Sequence, residues 1–564
     1  MKKYLFIALA ALGFAACAEH IDGPNAPIHN GELEESYIAI NLMAADNDTR
    51  AATDSYGYED GTDAERLIKT AYFFFFDAEG EPFNVTTSAP GGEKNHLQLT
   101  IGETTGKVDP NVSDIKEAVL VLNTYKGVYP SQIVAVLNWV PNNDKAYSLE
   151  DLHGELAELG NDEAGYVMSN SVYMDGANKM VDAVPLTAAN IKTTPEDALA
   201  APVEIYVERI AAKVVLTASG KVTGTDNIFD TQKDSTPVVT LGTPSTIDVY
   251  VKLLGWELYN DYATSNLLKN IENWDVGKLG LTWNDIPYFR CYWADSQETT
   301  LNDSFSWSYN SGFPTAYGFA VGSATYCGEN TRAVAIDGEG NVTPNPNNTK
   351  VILKGQLMQK NGENYEPLEL ARWYGTEYAG NEALRTAVAN SLKYTLYYYD
   401  DVNTKYVSIA PEDIQCVEGN TVGAAAYEVG FQLSNTDGYG ANKTWYKYDS
   451  TNGYVAFDLA DNTAKTNEYL NGVEPALLYA NGQTYYYVDI EHLGTAAAKY
   501  GVVRNHVYQI DINSISGYGS PVYIGTGSIV TPPEYPTEGE ASYVAARINV
   551  LSWKVVKQGV DIVQ

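Results

Sequence analysis

Residues 543–564 read YVAARINVLSWKVVKQGVDIVQ, and how this stretch is placed decides the fold. Val544, Ala546, Ile548 and Val550 alternate with Ala545, Arg547 and Asn549, and Leu551, Trp553 and Val555 carry a second apolar set on the odd positions. A period of two is strand spacing, and the switch of parity is one change of face. Just upstream, VTPPEYPTEGE from Val530 to Glu540 is rich in proline, which lacks the backbone donor that a central strand needs, so this spacer cuts the last strand away from what precedes it. A strand on such a tether pairs inside its own domain, as the last strand of a sandwich, or serves as a donor strand for a neighbouring subunit.

At 564 residues the chain is too long for one core, and two or three domains are expected. It carries 72 acidic against 36 basic side chains, a formal net charge of -36, which argues against nucleic acid or an anionic membrane surface as a partner. The 43 tyrosines, with Val, Ile and Thr in short runs between Gly, Asn, Asp and Pro clusters, are a strand-and-turn composition and predict mostly β structure. A tyrosine-rich β surface also leaves glycan recognition open.

MKKYLFIALAALGFAAC, Met1 to Cys17, has two lysines, an apolar core from Tyr4 to Leu12 and small residues before the cysteine. It is too short to span a bilayer and reads as a secretory signal. Ala15 and Ala16 before Cys17 resemble a bacterial lipobox, with Phe14 where Leu is commoner, so Cys17 is the expected lipidation site and Ala18 to Glu35 a polar tether. SYIAINLMA, Ser36 to Ala44, then places Ile38, Ile40 and Leu42 on one face of a first strand. An acidic loop, Ala44 to Glu65, follows, and within it Arg50 is the only Lys or Arg between Lys3 and Arg66. An Arg-specific protease has one place to cut here, between Arg50 and Ala51.

Further strands are expected at Glu65 to Asp77, Gln132 to Val140, Glu204 to Thr217 and Ile247 to Leu258. Leu149, Leu152, Leu156 and Leu159 recur at helical spacing behind a Ser148 cap, and Leu384, Val388 and Leu392 mark a helix over Asn381 to Leu392. Thr484 to Leu493 and Tyr500 to Val522 read as adjacent strands. Cys291, Cys327 and Cys416 show no CxxC or metal-ligand spacing.

Enzyme readings find little support, because no HExxH, GxSxG elbow or Walker loop is present among residues that include only six histidines. His492 and His506 lie in neighbouring strand-like motifs and are either hydrogen-bonded core residues or a pair of metal ligands. DGEGN at Asp337 to Asn341 lacks the remaining ligands of an EF-hand loop. No catalytic centre, metal site or cofactor is expected.

Several stretches together resemble the fimbrillins of Bacteroidales, most closely the major-subunit branch of the short fimbriae that build type V pili. They are Cys17 in its lipobox, VMSNSVY at Val167 to Tyr173, VERIAAKV at Val207 to Val214, YYVDIEHLG at Tyr486 to Gly494, GVVRNHVYQIDINSISGYGSP at Gly501 to Pro521, and INVLSWKVVKQGVDI at Ile548 to Ile562. The resemblance implies two transthyretin-like β-sandwich domains, 51–218 and 219–529, after a signal peptide (1–17) and a removable tether and first strand (18–50), and before a spacer and detached donor strand (530–564). It also implies a lipoprotein precursor at the outer membrane and maturation by an Arg-specific surface protease, for which Arg50 and Ala51 are the matching positions. The vacated edge then becomes a groove for the tail of an identical subunit, with Val544, Ile548, Val550, Leu551, Trp553, Val555, Val560 and Ile562 as inserting residues. Anchor and tip subunits and a host or bacterial receptor are the other implied partners. A second reading draws on YTLYYYDD at Tyr394 to Asp401 and on Trp373 with Tyr374: a monomeric surface lipoprotein that binds glycan or host protein.

Overall fold

The computed structural model describes residues 33–44, 61–85, 94–99, 115–125, 127–174, 180–225, 227–240, 243–270, 306–307, 324–330, 335–336, 342–343, 347–419, 428–492, 500–522, 528–529, 544–550 and 554–561. Among these the chain is mainly β, with a few short helices. It divides into two compact units, the first of Met1–Ala45, Arg66–Glu155 and Asp162–Glu208, the second of Asp46–Glu65, Leu156–Asn161 and Arg209–Gln564.

The first unit is organised by AYFFFF, Ala71–Phe76, whose every side chain is buried. So apolar a strand must be covered on both faces. Phe73 and Phe75 pack with Ile133, Ala135, Leu137 and the Val203–Val207 stretch. On the other face Phe74 meets His96 and Tyr147, with ring centroids 5.2 and 5.6 Å apart. Burial, helped by Lys94, holds the His96 imidazole below its usual pKa, so it sits in this aromatic cluster as a neutral ring. Across the sheet the strands run His96–Leu99, Ala71–Phe76, Gln132–Leu137, Met168–Asn170, Val203–Arg209, Leu33–Ala44 and Ile115–Tyr125.

Two expectations change here. The helix behind Ser148 stops at Gly154: its capping box is present, with Ser148 Oγ accepting from the Asp151 N–H at 3.0 Å, but only Leu152 is buried. Six residues gain too little from hydrogen bonds alone, and Leu156–Glu158 instead pairs as a strand with Thr264–Asn266. EIYVERIAAKVVLT is likewise not one strand, since Val203–Arg209 belongs to the first unit's sheet while Ala211–Thr217 pairs in parallel with His506–Ile515 in the second unit.

The second unit packs two sheets face to face. A nine-stranded sheet is built around Ile228–Thr240, Thr243–Tyr259, Lys350–Asn361 and Gln483–Asp489. A five-stranded sheet runs Ala324–Gly328, Ala211–Thr217, His506–Ile515, Val544–Val550 and Lys554–Asp561. Val251, Leu253, Leu353 and Tyr486 from the first meet Val214, Leu216, Ile510 and Ile512 from the second in one core. Gln483–Asp489 and His506–Ile515 are therefore in opposite sheets rather than neighbours in one; the expected pairing of the two spans survives at a bridge between Glu491 and Tyr500 and where Ser520–Pro521 returns beside Thr484 and Tyr485. The GYGSP turn makes that return possible. Gly519 has φ +70°, and a Cβ there would lie 2.5 Å from Thr484 Oγ1.

Between Thr376–Ala379 and Leu477–Tyr479 the chain builds a subdomain that composition did not announce. Its core joins Leu384 and Val388 of the helix Asn381–Ser391 to Leu396, Phe431, Trp445 and Leu470. The Trp445 ring is fully buried and its Nε1–H donates to the Gly440 carbonyl at 2.8 Å.

Candidate functional site

Leu33–Ala44 begins three residues earlier than its alternation suggests and lies inside its sheet, not at an edge. On one side it pairs antiparallel with Ile115–Tyr125, from Leu33 opposite Tyr125 to Met43 opposite Ile115. On the other, Ile40 to Ala44 pair in parallel with Val203 to Val207. A further bridge ties Tyr37 to Lys192, each N–H donating to the other's carbonyl at 2.7 and 2.9 Å. Ile38 is fully buried beside Leu120, which is opposite it in register. Ile40 and Leu42 hold the same parity, opposite the buried Val203 and Ile205. Leu33–Ala44 is thus an interior strand and not the edge strand expected, because its side away from Ile115–Tyr125 is also taken.

The tail forms a hairpin on its own chain. Val544–Val550 pairs antiparallel with residues 509–515, Lys554–Asp561 pairs in parallel with His506, Val507 and Tyr508, and the two tail strands pair with each other from Ala545 opposite Val560 to Val550 opposite Val555. An apolar strand with an unpaired backbone takes the nearest open edge, and here that edge is His506–Ile515. Leu551, Trp553 and Ile562, like Cys17, Arg50 and Ala51, lie outside the described residues.

The RNHVY motif fixes the start of the strand that receives the tail. The Arg504 guanidinium is buried, with Nε donating to Glu329 Oε2 at 3.1 Å and Nη2 to the Asn266 carbonyl at 2.8 Å. Asn505, at φ +55°, accepts from Arg209 Nη1 at 3.2 Å. His506 Nδ1 lies 2.7 Å from the Arg504 carbonyl, and His492 Nδ1 lies 3.0 Å from the Tyr508 hydroxyl, which accepts from the Val503 N–H at 2.8 Å. Burial drives the Tyr508 phenol well above its usual pKa. Both histidines make hydrogen bonds in the core, and their rings lie beside each other with centroids 5.0 Å apart.

Sequence reasoning missed a buried anchor just after the Arg50 loop. Glu65 is enclosed, with Lys213 Nζ 2.7 Å away, the Tyr326 hydroxyl donating at 2.5 Å and the Thr62 N–H at 2.7 Å, while Arg209 Nε donates to the Glu65 carbonyl at 2.8 Å. Burial alone would raise the Glu65 pKa, but Lys213, Tyr326 and Thr62 outweigh it and hold the carboxyl below its ordinary value. Lys213 among apolar neighbours was the available signal, since a buried lysine needs a carboxylate. Cys327 and Cys416 are free thiols, the latter pushed up to about 12 by burial, so neither is poised as a nucleophile; Cys291 is outside the described residues.

Residues 477–559 match a family model described as the major fimbrial subunit protein type IV, fimbrillin, C-terminal. No curated protein matches the chain. Among solved structures it is similar to a fimbrilin from Porphyromonas gingivalis W83, at 12% identity over 93% of this chain and 96% of that one, with a TM-score of 0.35. A cell adhesion protein from Bacteroides eggerthii is similar at 10% identity over 96% and 99%, with a TM-score of 0.34. The tip fimbrial protein Mfa3 from P. gingivalis is similar at 11% over 88% and 100%, with a TM-score of 0.27.

Proposed function

From the premise that residues 477–559 form a fimbrillin C-terminal region, we propose that the chain is a structural, non-enzymatic subunit of a cell-surface fimbria that polymerises after proteolysis. The observation that carries the reading is the interior position of Leu33–Ala44, paired on both sides and followed by the isolated Arg50. In this scheme the precursor is exported as a lipoprotein through Cys17 and an Arg-specific surface protease cuts between Arg50 and Ala51. The first strand then leaves. Its loss exposes Ile38, worth about 1.5–3 kcal/mol for a fully buried side chain, and unpairs two strands instead of one. The tail of another subunit fills the slot through Val544, Ile548, Val550, Leu551, Trp553, Val555, Val560 and Ile562, its backbone completing the sheet.

Before cleavage the first strand is covalently continuous with the rest of the chain, so a strand that leaves its sheet stays tethered to it and re-enters readily. After a cut at Arg50 only non-covalent pairing retains it. Because donor and acceptor are at opposite ends of one chain, the contact is head-to-tail and builds an open filament. Anchor and tip subunits are the expected partners at its two ends.

The test mixes signal-less precursor with an Arg-specific protease and follows size by gel and electron microscopy, beside Arg50→Ala and a chain ending at Glu540. Ladders or fibres from the cut wild type alone are the expected result. Monomers from all three, with cleavage of the wild type confirmed, would remove the polymerising subunit from consideration and leave a monomeric binding protein.

A further inference from the structure

The four-stranded sheet of the inserted subdomain sorts its side chains in an unusual way. Its strands run Lys405–Ser408, Leu396–Asp400, Trp445–Asp449 and Gly453–Ala456. In register, Tyr399 is opposite Tyr406, Tyr397 is opposite Tyr446, and Tyr448 is opposite Tyr454. Residues directly opposite share a face, and so do alternate residues along a strand, so all six tyrosines are on one side of the sheet. Ser408 and Ala456 complete that side. Leu396, Trp445 and Tyr398 are on the other, where they join the buried core.

The tyrosine rings form a connected mesh. Tyr406 and Tyr454, from the two outermost strands, stack with centroids 3.7 Å apart and planes 11° from parallel. Tyr399 meets Tyr406 at 5.1 Å, Tyr446 meets Tyr406 at 5.3 Å, Tyr397 meets Tyr454 at 5.1 Å and Tyr448 meets Tyr454 at 5.2 Å. Two hairpins of similar construction hold it. Asp400 accepts from the Val402 and Asn403 N–H groups, and Asp449 accepts from Thr451 and Asn452 in the same way, each closing a D-x-x-N turn between paired tyrosines. Rings braced against one another lose little freedom when a ligand arrives.

On the premise that the chain reaches the cell surface, we propose that this tyrosine face is a binding platform for a neutral pyranose polysaccharide. Charge decides among occupants. The chain carries -36, yet no position on this face is charged, so it offers nothing to a polyanion or to an anionic lipid surface and repels neither partner nor solvent locally. Besides its tyrosines the face has no Met or Arg, which protein interfaces favour alongside aromatic residues. Phenol rings instead present flat apolar surfaces with hydroxyl rims, matching a sugar ring whose C–H face stacks while its hydroxyls hydrogen-bond.

The test uses the full chain without added protease, so that binding is read apart from polymerisation. Retardation in native gels containing mannan, dextran, amylose or β-glucan is compared with heparin, for wild type, Tyr448→Ala and the Tyr399→Ala/Tyr448→Ala double variant. Tyr399 and Tyr448 are 43% and 56% exposed, so their loss is compatible with folding, which circular dichroism verifies; Tyr448→Ser is the second variant if Ala proves unstable. Expected is retention by at least one neutral polysaccharide, little by heparin, and at least tenfold weaker binding in the double variant. No retention by any neutral polysaccharide, equal retention by heparin, or binding unchanged in the double variant overturns the proposal. So does a double variant that alters only self-association, which would make the face a contact between copies.

Discussion

The first strand and the tail are both terminal strands, and the protein holds them differently. Leu33–Ala44 has a neighbour on each side and a buried Ile38, whereas the tail pairs with itself and with a single strand, His506–Ile515. A strand gripped on both sides is not lost by fraying, so its removal calls for a break in the chain. A hairpin on one edge opens at lower cost, through local unfolding that leaves the core intact. The end proposed to be discarded is thus the tightly held one, and the end proposed to be donated is the loosely held one.

The largest expected effect tests the break itself. Arg50→Ala should abolish fibre formation under Arg-specific protease, an all-or-none outcome on a non-reducing gel. Normal ladders from this variant would mean that the interior strand leaves without a cut, and the contrast between the two ends would lose its functional meaning.

Next in size is the buried Glu65 and Lys213 pair. Glu65→Gln removes the carboxylate from the buried pair with Lys213, and a loss of about 3–5 kcal/mol is expected in urea unfolding. The wild-type pH profile follows from the direction of the shift. The folded pKa of Glu65 is depressed, so its contribution is present above the unfolded value and disappears as pH falls through the folded one. Glu65→Gln should flatten that acid limb; an unchanged acid limb would place the acid sensitivity elsewhere.

Ile38→Ala separates precursor from product. It should cost the precursor about 2–5 kcal/mol, as buried Ile truncations do, and leave the properties of fibres grown from cleaved chains unchanged, because the residue has departed with its strand. Fibres weakened by the same substitution would show that the first strand stays in the assembly.

Alternation along the chain revealed which residues face a core but not which strands neighbour one another. Ile38, Ile40 and Leu42 marked a strand with one apolar face, and the helix Asn381–Ser391 was visible in the spacing of Leu384 and Val388. That the first strand is interior depends on pairing with residues near 120 and 205, and period-two patterning is the same for interior and edge strands. The Glu65 and Lys213 pair was hidden for the same reason, being distant in sequence. The tyrosine face was half visible: YTLYYYDD is suggestive, but its partner strands, with Tyr406, Tyr446, Tyr448 and Tyr454, become one surface only through register.

The smallest effect concerns the tail's hold on its own chain. Arg547 is opposite Asp511 in register, so Arg547→Asp places like charges across the pair and should weaken the hairpin by about 0.2–1 kcal/mol, read as faster amide exchange at Ile510 and Ile548. Asp511 already accepts from Thr217 Oγ1 at 2.8 Å and from the Ser219 N–H at 2.9 Å, so it stays ordered when the opposing arginine is lost, which keeps the expected change small. If the hairpin must open before the tail can enter a neighbour, the lag before fibres appear after cleavage should shorten by up to a few-fold, since 1.4 kcal/mol corresponds to about tenfold. A lag that is unchanged while exchange quickens would show that opening is not the slow step, and would move the kinetic control to departure of the first strand, the end held on both sides.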